Sequence, residues 1–537
     1  MLFFISRCPM TLSMCLRLFF LVLLIMGVSA CTYLKYAAVQ KHYARIQNID
    51  PSQVNLKHML DRDTYFVYGK IISENGLYAN TEMAVAAYSD KFKKRERVDT
   101  MFLRGTGTHY GLNLPEGRYS ILVFADINNN KIFENTEVVS KNEVNVNNEL
   151  APDKILSRTN LKLSYAQSIK TLSAITRKHA TELSTSFYYP TGTIRSINDP
   201  IFDDNMSILG MYDPASFLEN APTMFYALEE DTSYKVPVIF VHGIGGNIRS
   251  FSPIIEKLDP QRFKAWFFYY PSGGDLDQLA SFFYDIFLSG NVIGVNEIPM
   301  VVVSHSMGGL VVREALNKYE NKAGENKVKI WASLASPLGG LSSAEKGVKH
   351  GIIVLPSWRD LNHNGEFISR LYRKPLPDFV DHSLYYAYED SNNKEAGDGV
   401  VPLASQLHAS AKADAYNTFG VHGSHTSILE DNAVIQDILA EASRVKNIFP
   451  DSHLEIIAKG GFDIGPYKNY SPRLQHAIQN IGKYVIALAD GDIQPFHPKQ
   501  KVFLRVLEGE AGVGSAIDKE YARFVLEYRE NLKREQE

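Results

Sequence analysis

The chain has 537 residues, of which 45% are hydrophobic and 22% are charged, so it has enough apolar sequence for more than one hydrophobic core. Its formal net charge of −4 at pH 7 gives no electrostatic basis for binding nucleic acid. The three cysteines, Cys8, Cys15 and Cys31, all lie within the first 31 residues. The rest of the chain therefore has no thiol for a disulfide, and its stability must come from burial.

The first 31 residues have the pattern of an export signal. Arg17 precedes the apolar run 18–26 (LFFLVLLIM), which is short for a bilayer span and typical of a cleaved signal peptide; an uncleaved membrane anchor is the alternative. Residues 28–31 (VSAC) resemble a bacterial lipobox. The resemblance implies a lipid on Cys31 that holds the protein on a membrane of the bacterial cell envelope. Thr32, in place of Asp, implies the outer membrane by the same analogy.

Three segments with different patterns follow. Residues 32–62 have apolar positions suited to a helical spacer. Short apolar runs separated by Gly, Pro and Asn turns in residues 63–150 predict a small all-β, sandwich-like domain. Residues 151–205 are predicted to be a connector, with a helix over about 165–184.

A loop in the β-rich region has oxygen-bearing side chains at alternate positions. Asp126, Asn128 and Asn130 are followed by Glu137, a spacing that approaches the calcium loop of an EF-hand. However, Lys131 stands where that loop needs glycine, and no helical pattern flanks it. An Asn-rich hairpin loop is the favoured interpretation, and calcium bound by these four residues is the alternative. No other metal or cofactor is expected.

Two apolar strands further along each run into a glycine-containing turn. Residues 236–241 (VPVIFV) lead into 242–246 (HGIGG), and residues 300–303 (MVVV) lead into 304–309 (SHSMGG). A serine between a buried strand and a helix is the form of a nucleophile elbow, whose strained backbone exposes the hydroxyl of Ser306. Ser304 replaces the first Gly of the usual G-x-S-x-G.

The first of these turns is suited to bind a developing oxyanion, because glycines let bare backbone N–H groups face the reacting atoms. The predicted donors are the N–H groups of Ile244 and Met307. Taken alone, this glycine-rich turn is also compatible with a tight turn or a phosphate-binding loop. Its position ahead of the elbow favours acyl transfer.

The motifs IFVHGIGGN and VVSHSMGGLV resemble those of lipases and esterases of the α/β-hydrolase superfamily, and the resemblance extends over about residues 216–440. It implies an α/β-hydrolase fold, a mostly parallel central sheet with helices on both faces, in residues 206–445. Residues 341–380 lie where such enzymes commonly have a lid-like insertion; ordinary packing of an inserted subdomain is the alternative. Residues 446–537 have mixed patterns.

The resemblance also implies that the nucleophile Ser306 is followed by an acid and then a histidine. Asp398, between two glycines in residues 396–402 (AGDGVVP), is the predicted acid. Of the two histidines in residues 420–429 (GVHGSHTSIL), His425 is preferred over His422 as the base. Singly, each residue has a structural alternative as a helix cap or turn residue.

The sequence therefore predicts an exported, lipid-anchored serine hydrolase that acts on carboxylic esters, above all those of lipids. A thioesterase, a phospholipase or an acyltransferase would use the same three residues, and the sequence does not separate these. The alternative from another class is a non-catalytic lipoprotein that binds at the cell surface through its β-rich domain. The oligomeric state is left open.

Overall fold

A computed structural model describes residues 64–536 with short gaps, together with six residues of the preceding segment, 33, 34, 36–38 and 41. The gaps are at 75, 90–95, 107–108, 153, 170–171, 177–185, 187–188, 190–191, 222, 231–233, 294–298, 390–396, 464, 468 and 511. The predicted signal peptide and Cys31 lie outside the described residues, as does most of the predicted spacer; its six described residues are helical. Among the helices of the described part, none has the length and apolar character that crossing a bilayer requires.

The N-terminal region is built from two β-sheets with a common core. One sheet has the strand order β3-β2-β5-β7, and the other the order β4-β1-β8, with β9 also paired to β1. Alternate side chains of both sheets, among them Val67, Leu112, Val85 and Ile121, are buried in one cluster, as in a sandwich. The strands of this region are β1 (Thr64–Ile72), β2 (Glu82–Ser89), β3 (Glu96–Arg104), β4 (His109–Pro115), β5 (Gly117–Ala125), β6 (Ile132–Phe133), β7 (Val138–Val146), β8 (Ile155–Leu156), β9 (Leu161–Lys162) and β10 (Ile175–Thr176).

The connector differs from the prediction of a helix over residues 165–184. Ile175–Thr176 forms β10, which pairs with β6, and no helix occurs in the described residues between 165 and 176. Ile175 is buried beside Phe133 in a small separate core. Burial against the β-rich region therefore overrides the local helical pattern, a common outcome because helix propensity is weak compared with tertiary packing.

A seven-stranded sheet forms the centre of the second region, in the order β11-β13-β12-β14-β15-β16-β17. Only β11 runs antiparallel to its neighbour; the other pairs are parallel. Its strands are β11 (Phe225–Ala227), β12 (Val236–Val241), β13 (Phe263–Phe268), β14 (Met300–His305), β15 (Val328–Leu334), β16 (Asp381–Tyr388) and β17 (Asn417–His422).

Both faces of this sheet are covered by helices. Val302 in β14 packs on one side with helices α4 and α5, and its neighbours Val301 and Val303 pack on the other side with α3 and α11. A parallel sheet buried on both faces needs such apolar runs, and the α/β-hydrolase fold predicted from the two motifs is confirmed. The helices up to residue 445 are α1 (Asp204–Tyr212), α2 (Pro214–Asn220), α3 (Ser252–Ile255), α4 (Leu276–Phe283), α5 (Gly308–Asn317), α6 (Ser342–His350), α7 (Pro356–Leu361), α8 (Glu366–Leu371), α9 (Leu403–Gln406), α10 (Ala409–Asp414) and α11 (Asn432–Ser443).

The insertion at residues 341–380 contains α6, α7 and α8. Phe367, Ile368 and Leu371 of α8 are buried in the core that also holds α5, so this part of the insertion is ordinary packing. After the sheet, four helices with their own apolar cluster replace the mixed pattern expected for residues 446–537. These are α12 (Asp451–Ile457), α13 (Pro472–Asp490), α14 (Pro498–Leu507) and α15 (Ala516–Gln536).

Candidate active site

Ser306 lies at the carboxyl end of β14, in the sharp turn that leads into α5. Its φ of 55° is in the left-handed region, which is uncommon and strained for a residue other than glycine. A Cβ added to Gly308 would lie 2.5 Å from the carbonyl oxygen of Val241, and one added to Gly243 would lie 2.6 Å from the Cβ of Ser306. The two glycines are therefore required, because the strand, the helix and the glycine-rich loop approach one another too closely for side chains.

The structure brings Ser306, His425 and Asp398 into one hydrogen-bonded row. The Nε2 atom of His425 lies 2.9 Å from Oγ of Ser306, and its Nδ1 atom lies 2.7 Å from Oδ2 of Asp398. Because a carboxylate only accepts hydrogen bonds, Nδ1 carries the proton and Nε2 is left to accept one from the serine hydroxyl. This is the arrangement in which a serine is activated by a neutral imidazole.

His422, the alternative base, lies elsewhere. It ends β17, is exposed, and its Nε2 lies 2.8 Å from the carbonyl oxygen of Glu389. The loop between the two histidines turns back so that the N–H of His425 donates to the carbonyl oxygen of Asp398 at 2.9 Å. The structure thus places His425, rather than His422, beside the serine.

Asp398 is fully buried, and its oxygens have further donors besides His425. Its Oδ1 accepts from the N–H groups of Val400 at 2.9 Å and Val401 at 2.7 Å, and its Oδ2 accepts from Nε2 of Gln406 at 3.3 Å. The amide of Gln406 is itself held by both backbone groups of Ala387. These bonds fix the orientation of the carboxylate and offset the cost of burying it.

His305, next to the serine, positions the base from its other side. Its Nε2 donates to the carbonyl oxygen of His425 at 2.8 Å, and the two rings are 4.7 Å apart. Burial, and then the neighbouring His425, lowers the pKa of His305 to about 3. His305 is therefore a neutral donor, and neither it nor Gln406 was identified from the sequence. Its place inside the elbow motif, directly before Ser306, is the signal that could have identified it.

The glycine-rich loop after β12 is fixed by hydrogen bonds that leave one of its N–H groups available. Gly245 donates to Oγ of Ser272 at 2.9 Å, and Gly246 donates to the carbonyl oxygen of Gly243 at 3.1 Å. Among the residues that the structure describes, no acceptor is found for the N–H groups of Ile244 and Met307. This availability is what the two predicted oxyanion donors need.

Residues 290–396 match the Lecithin:cholesterol acyltransferase family. This segment is about a fifth of the chain; it contains Ser306 and ends two residues before Asp398. A comparison with curated proteins finds no match.

Solved structures that are similar to the chain include lipases and a phospholipase. Lipase BlEst2 of Bacillus licheniformis in its mature form is 19% identical, with a TM-score of 0.31 over 40% of this chain and 97% of its own. Lipase B of Aspergillus fumigatus is 17% identical, with a TM-score of 0.33 over 46% and 62%. Phospholipase PlaB of Legionella pneumophila, in complex with thio-NAD, is 18% identical, with a TM-score of 0.27 over 32% and 44%. At these identities and scores the likeness says nothing about activity.

Ser304, which departs from the usual elbow pattern, has a structural partner. Its Oγ accepts a hydrogen bond from Nε1 of Trp331 at 2.9 Å, and both residues are fully buried. The hydroxyl therefore occupies a position where the indole N–H needs an acceptor. This explains how a serine fits where glycine is usual.

We expect Ser304→Ala to destabilise the protein by about 1–3 kcal/mol, because it leaves the buried indole N–H of Trp331 without an acceptor. Urea unfolding of the wild type, Ser304→Ala, Trp331→Phe and the double variant would measure this loss. In the double variant the second substitution should cost less than it does alone, since the partner is already gone. Strictly additive losses would contradict the role assigned to this hydrogen bond.

Because three histidines, His242, His305 and His382, are buried, we expect the protein to lose stability in acid. Burial lowers the pKa of His242 to about 4 and those of His305 and His382 to about 3, from the usual 6.5. Below pH 6.5 the unfolded chain binds protons that the folded chain does not, so stability falls as the pH drops towards the folded pKa values. Each histidine should contribute a loss of about 2 kcal/mol between pH 7 and pH 5.

Urea midpoints at pH 7 and pH 5 would test this expectation. His350 is exposed, so His350→Gln should show the same difference between the two midpoints as the wild type. Equal midpoints at the two pH values would show that the buried histidines do not control acid stability.

The loop that is the candidate calcium site forms a turn in which side-chain oxygens accept hydrogen bonds from backbone N–H groups. Asp126 accepts from the N–H groups of Asn130 and Lys131, each at 3.0 Å, and Glu137 accepts from that of Ile127, also at 3.0 Å. Lys131, at the position of the EF-hand glycine, has a φ of 62°. Within the described part of the chain, no group of three or more His, Cys, Asp or Glu side chains is arranged to hold a metal. Calcium binding by Asp126, Asn128, Asn130 and Glu137 stays a prediction.

Proposed function

We propose that this protein cleaves carboxylic esters of lipids through a covalent acyl intermediate on Ser306. The observation that carries the proposal is the row from Asp398 through His425 to Ser306, with bonds of 2.7 and 2.9 Å. The strained backbone of Ser306 and the two available N–H groups nearby are independent features that an acyl transfer site needs. A helix cap or a simple turn needs none of them.

In the first step, Oγ of Ser306 attacks the ester carbonyl carbon while Nε2 of His425 takes the hydroxyl proton. The carbonyl oxygen becomes an oxyanion, which the N–H groups of Ile244 and Met307 stabilise. Asp398 holds the imidazolium in place. As the tetrahedral intermediate collapses, His425 gives the proton to the departing alcohol and the acyl group remains on Ser306.

The second step returns the enzyme to its starting state. Water loses a proton to His425 as it attacks the acyl carbon, and Ser306 leaves with that proton while a free carboxylic acid forms. An alcohol in place of water would give a new ester instead of an acid. The match of residues 290–396 to a lecithin:cholesterol acyltransferase family favours acyl transfer as the second candidate activity. The same three residues would serve both.

The proposal includes export and a lipid anchor. The apolar run before Cys31 and the lipobox-like residues 28–31 support a lipid on that cysteine and a place in the bacterial cell envelope, at the outer membrane. Attachment of the protein to the cell envelope then depends on the lipid, because the net charge of −4 provides no strong attraction to anionic surfaces.

Covalent labelling would test the proposed nucleophile. We expect a fluorophosphonate probe to label the wild type, and p-nitrophenyl esters to be hydrolysed at a rate that depends on chain length. Ser306→Ala should abolish both signals, whereas Ser304→Ala, which alters a buried neighbour, should keep the label. Adding an excess of a long-chain alcohol would separate the two activities, because an acyltransferase would form the new ester. A folded wild type with neither label nor hydrolysis would instead favour a non-catalytic binding lipoprotein.

A further inference from the structure

The few described residues that follow Cys31 contact the catalytic region. The hydroxyl of Tyr33 donates to the carbonyl oxygen of Ile353 at 3.1 Å and accepts from the N–H of the same residue at 3.0 Å. The ring of Tyr36 stacks on that of Tyr212, with 5.4 Å between centroids and 17° between planes. Ala37 is 2% exposed. We call the described residues of this segment, 33, 34, 36–38 and 41, the strap.

The strap contacts two elements, α1 and the insertion. In addition to the hydrogen bonds with Ile353, Tyr33 has two ring contacts. The centroid of its ring lies 6.1 Å from that of Tyr212, the last residue of α1, and 6.2 Å from that of Trp358 in α7. We call Tyr212, Ile353 and Trp358 the rim. The strap thus joins α1 to the insertion that follows β15.

The rim borders the candidate active site. Met211, which precedes Tyr212, has its sulfur 3.9 Å from the position of a Cβ on Gly245, and its carbonyl oxygen would overlap a Cβ on Gly273. Gly245 follows the oxyanion donor Ile244 in the loop after β12, and Gly273 follows β13. Loops at the carboxyl ends of parallel strands lie at one edge of the sheet, which is where Ser306 also lies.

Exposed apolar side chains lie beside these contacts. Leu34 of the strap is 51% exposed, Ile352 of the insertion is 48% exposed, and Ile208, one helical turn before Tyr212, is 36% exposed. Leu34 and Ile352 are next in sequence to Tyr33 and Ile353, and Ile208 is four residues before Tyr212 on the same helix. Grouped apolar exposure of this kind marks a surface that meets a protein or a membrane.

The position of Cys31 in the sequence favours a membrane over a protein as the partner of this surface. Tyr33 is two residues after Cys31, and two extended residues reach only about 7 Å. A lipid on Cys31, inserted in a bilayer, would therefore keep Tyr33 and the exposed apolar residues around it at the surface of that bilayer.

We propose that the strap holds the rim of the active site against the membrane that carries the Cys31 lipid, so that the substrates are the acyl phospholipids of that membrane. This rests on the proposed hydrolase function and on the lipid at Cys31. The segment acts as a rigid connection instead of a loose tether. Once the strap is released, the catalytic region remains anchored but loses its fixed orientation, and the local concentration of phospholipid at the site falls.

Tryptophan fluorescence gives a test that does not depend on activity. Of the three tryptophans, Trp266 and Trp331 are fully buried, so Trp358 is the one that can meet lipid. We expect vesicles of phosphatidylethanolamine and phosphatidylglycerol that contain bromine-labelled acyl chains to quench the lipidated full chain, and Trp358→Phe to remove this quenching. Tyr33→Phe combined with Tyr36→Ala, which removes the two hydroxyl bonds and the ring stack, should also reduce it, as should Cys31→Ser.

The paired activity test uses the same vesicles and p-nitrophenyl butyrate in solution. The strap double variant should release fatty acid from the vesicles about tenfold more slowly, while its rate on the soluble ester stays within about twofold of the wild type. Tyr165→Ala is the matched control, because that ring is 75% exposed in the connector; it should behave as the wild type in every measurement.

The outcomes separate the two proposals. Quenching that is absent in the lipidated wild type, or unchanged in the double variant, would overturn the role of the strap. An equal loss on both substrates would also overturn it, because the strap would then be only a structural support. Strap-dependent quenching in a protein that hydrolyses neither substrate would support the orientation while rejecting the proposed hydrolase.

Discussion

Replacing His425 with alanine is expected to lower kcat/KM for p-nitrophenyl butyrate by about four orders of magnitude. The Nε2 atom of this residue is 2.9 Å from Oγ of Ser306, and no other imidazole in the described part of the chain is placed to accept the serine proton. The nearby His305 is committed to the carbonyl oxygen of His425 and cannot take over the role. Steady-state kinetics of the purified variant would measure the loss.

His422→Ala provides the matched control. His422 lies three residues earlier, at the end of β17. It is exposed and bonded to the carbonyl oxygen of Glu389, so its loss should change kcat/KM by no more than about twofold, as expected of a surface substitution. If His422→Ala removed activity while His425→Ala kept it, the assignment of the base would be wrong. If both variants kept activity, the mechanism proposed for Ser306 would be wrong.

Asp398→Asn is expected to lower kcat by about 10⁴ and to lower the stability of the fold by about 1–3 kcal/mol, because a buried donor then loses its acceptor. Oδ1 of Asp398 accepts from the N–H groups of Val400 and Val401, so the amide oxygen of an asparagine would stay on that side. Its NH₂ group would then face Nδ1 of His425 and Nε2 of Gln406, both of which are donors to Asp398 in the wild type.

The consequence is the wrong tautomer of the base. His425 would accept at Nδ1 and carry its proton on Nε2, which then cannot take the proton of Ser306. A cooperative thermal unfolding transition with a midpoint well above the assay temperature would show that the loss of kcat is chemical. A variant that unfolds normally and keeps more than about a tenth of the wild-type kcat would exclude Asp398 as the residue that orients His425.

Some features of this chain follow from local sequence because local physics controls them. Apolar runs bounded by glycines are buried strands that end in tight turns, and the two such runs predicted two buried strands and the position of Ser306 in an elbow. The resemblance to lipases and esterases also implied an acid between two glycines and a later histidine. The structure brings these residues into contact. Their spacing along the chain did not show that they would meet.

The residues that hold Asp398 and His425 in place could not be identified from local sequence. Gln406 holds Asp398 and Ala387, and His305 holds the backbone of His425, 120 residues away. Gln406 lies in unremarkable sequence, and His305, although it lies inside the elbow motif, has no local feature that shows its partner. The importance of both arises only where distant segments meet. The same applies to β10, where burial of Ile175 beside Phe133 replaced the expected helix.

The α/β-hydrolase fold followed from the resemblance of two motifs to those of lipases and esterases. The sequence by itself also determined the strand that presents Ser306 and the glycines without which the strand, loop and helix would collide. These depend on periodicity and on steric rules that act over a few residues. Only the tertiary structure decided which histidine faces the serine, what supports the acid, and where the strap lies. Those choices depend on contacts between segments far apart in the chain, and a one-dimensional pattern does not contain the distances between them.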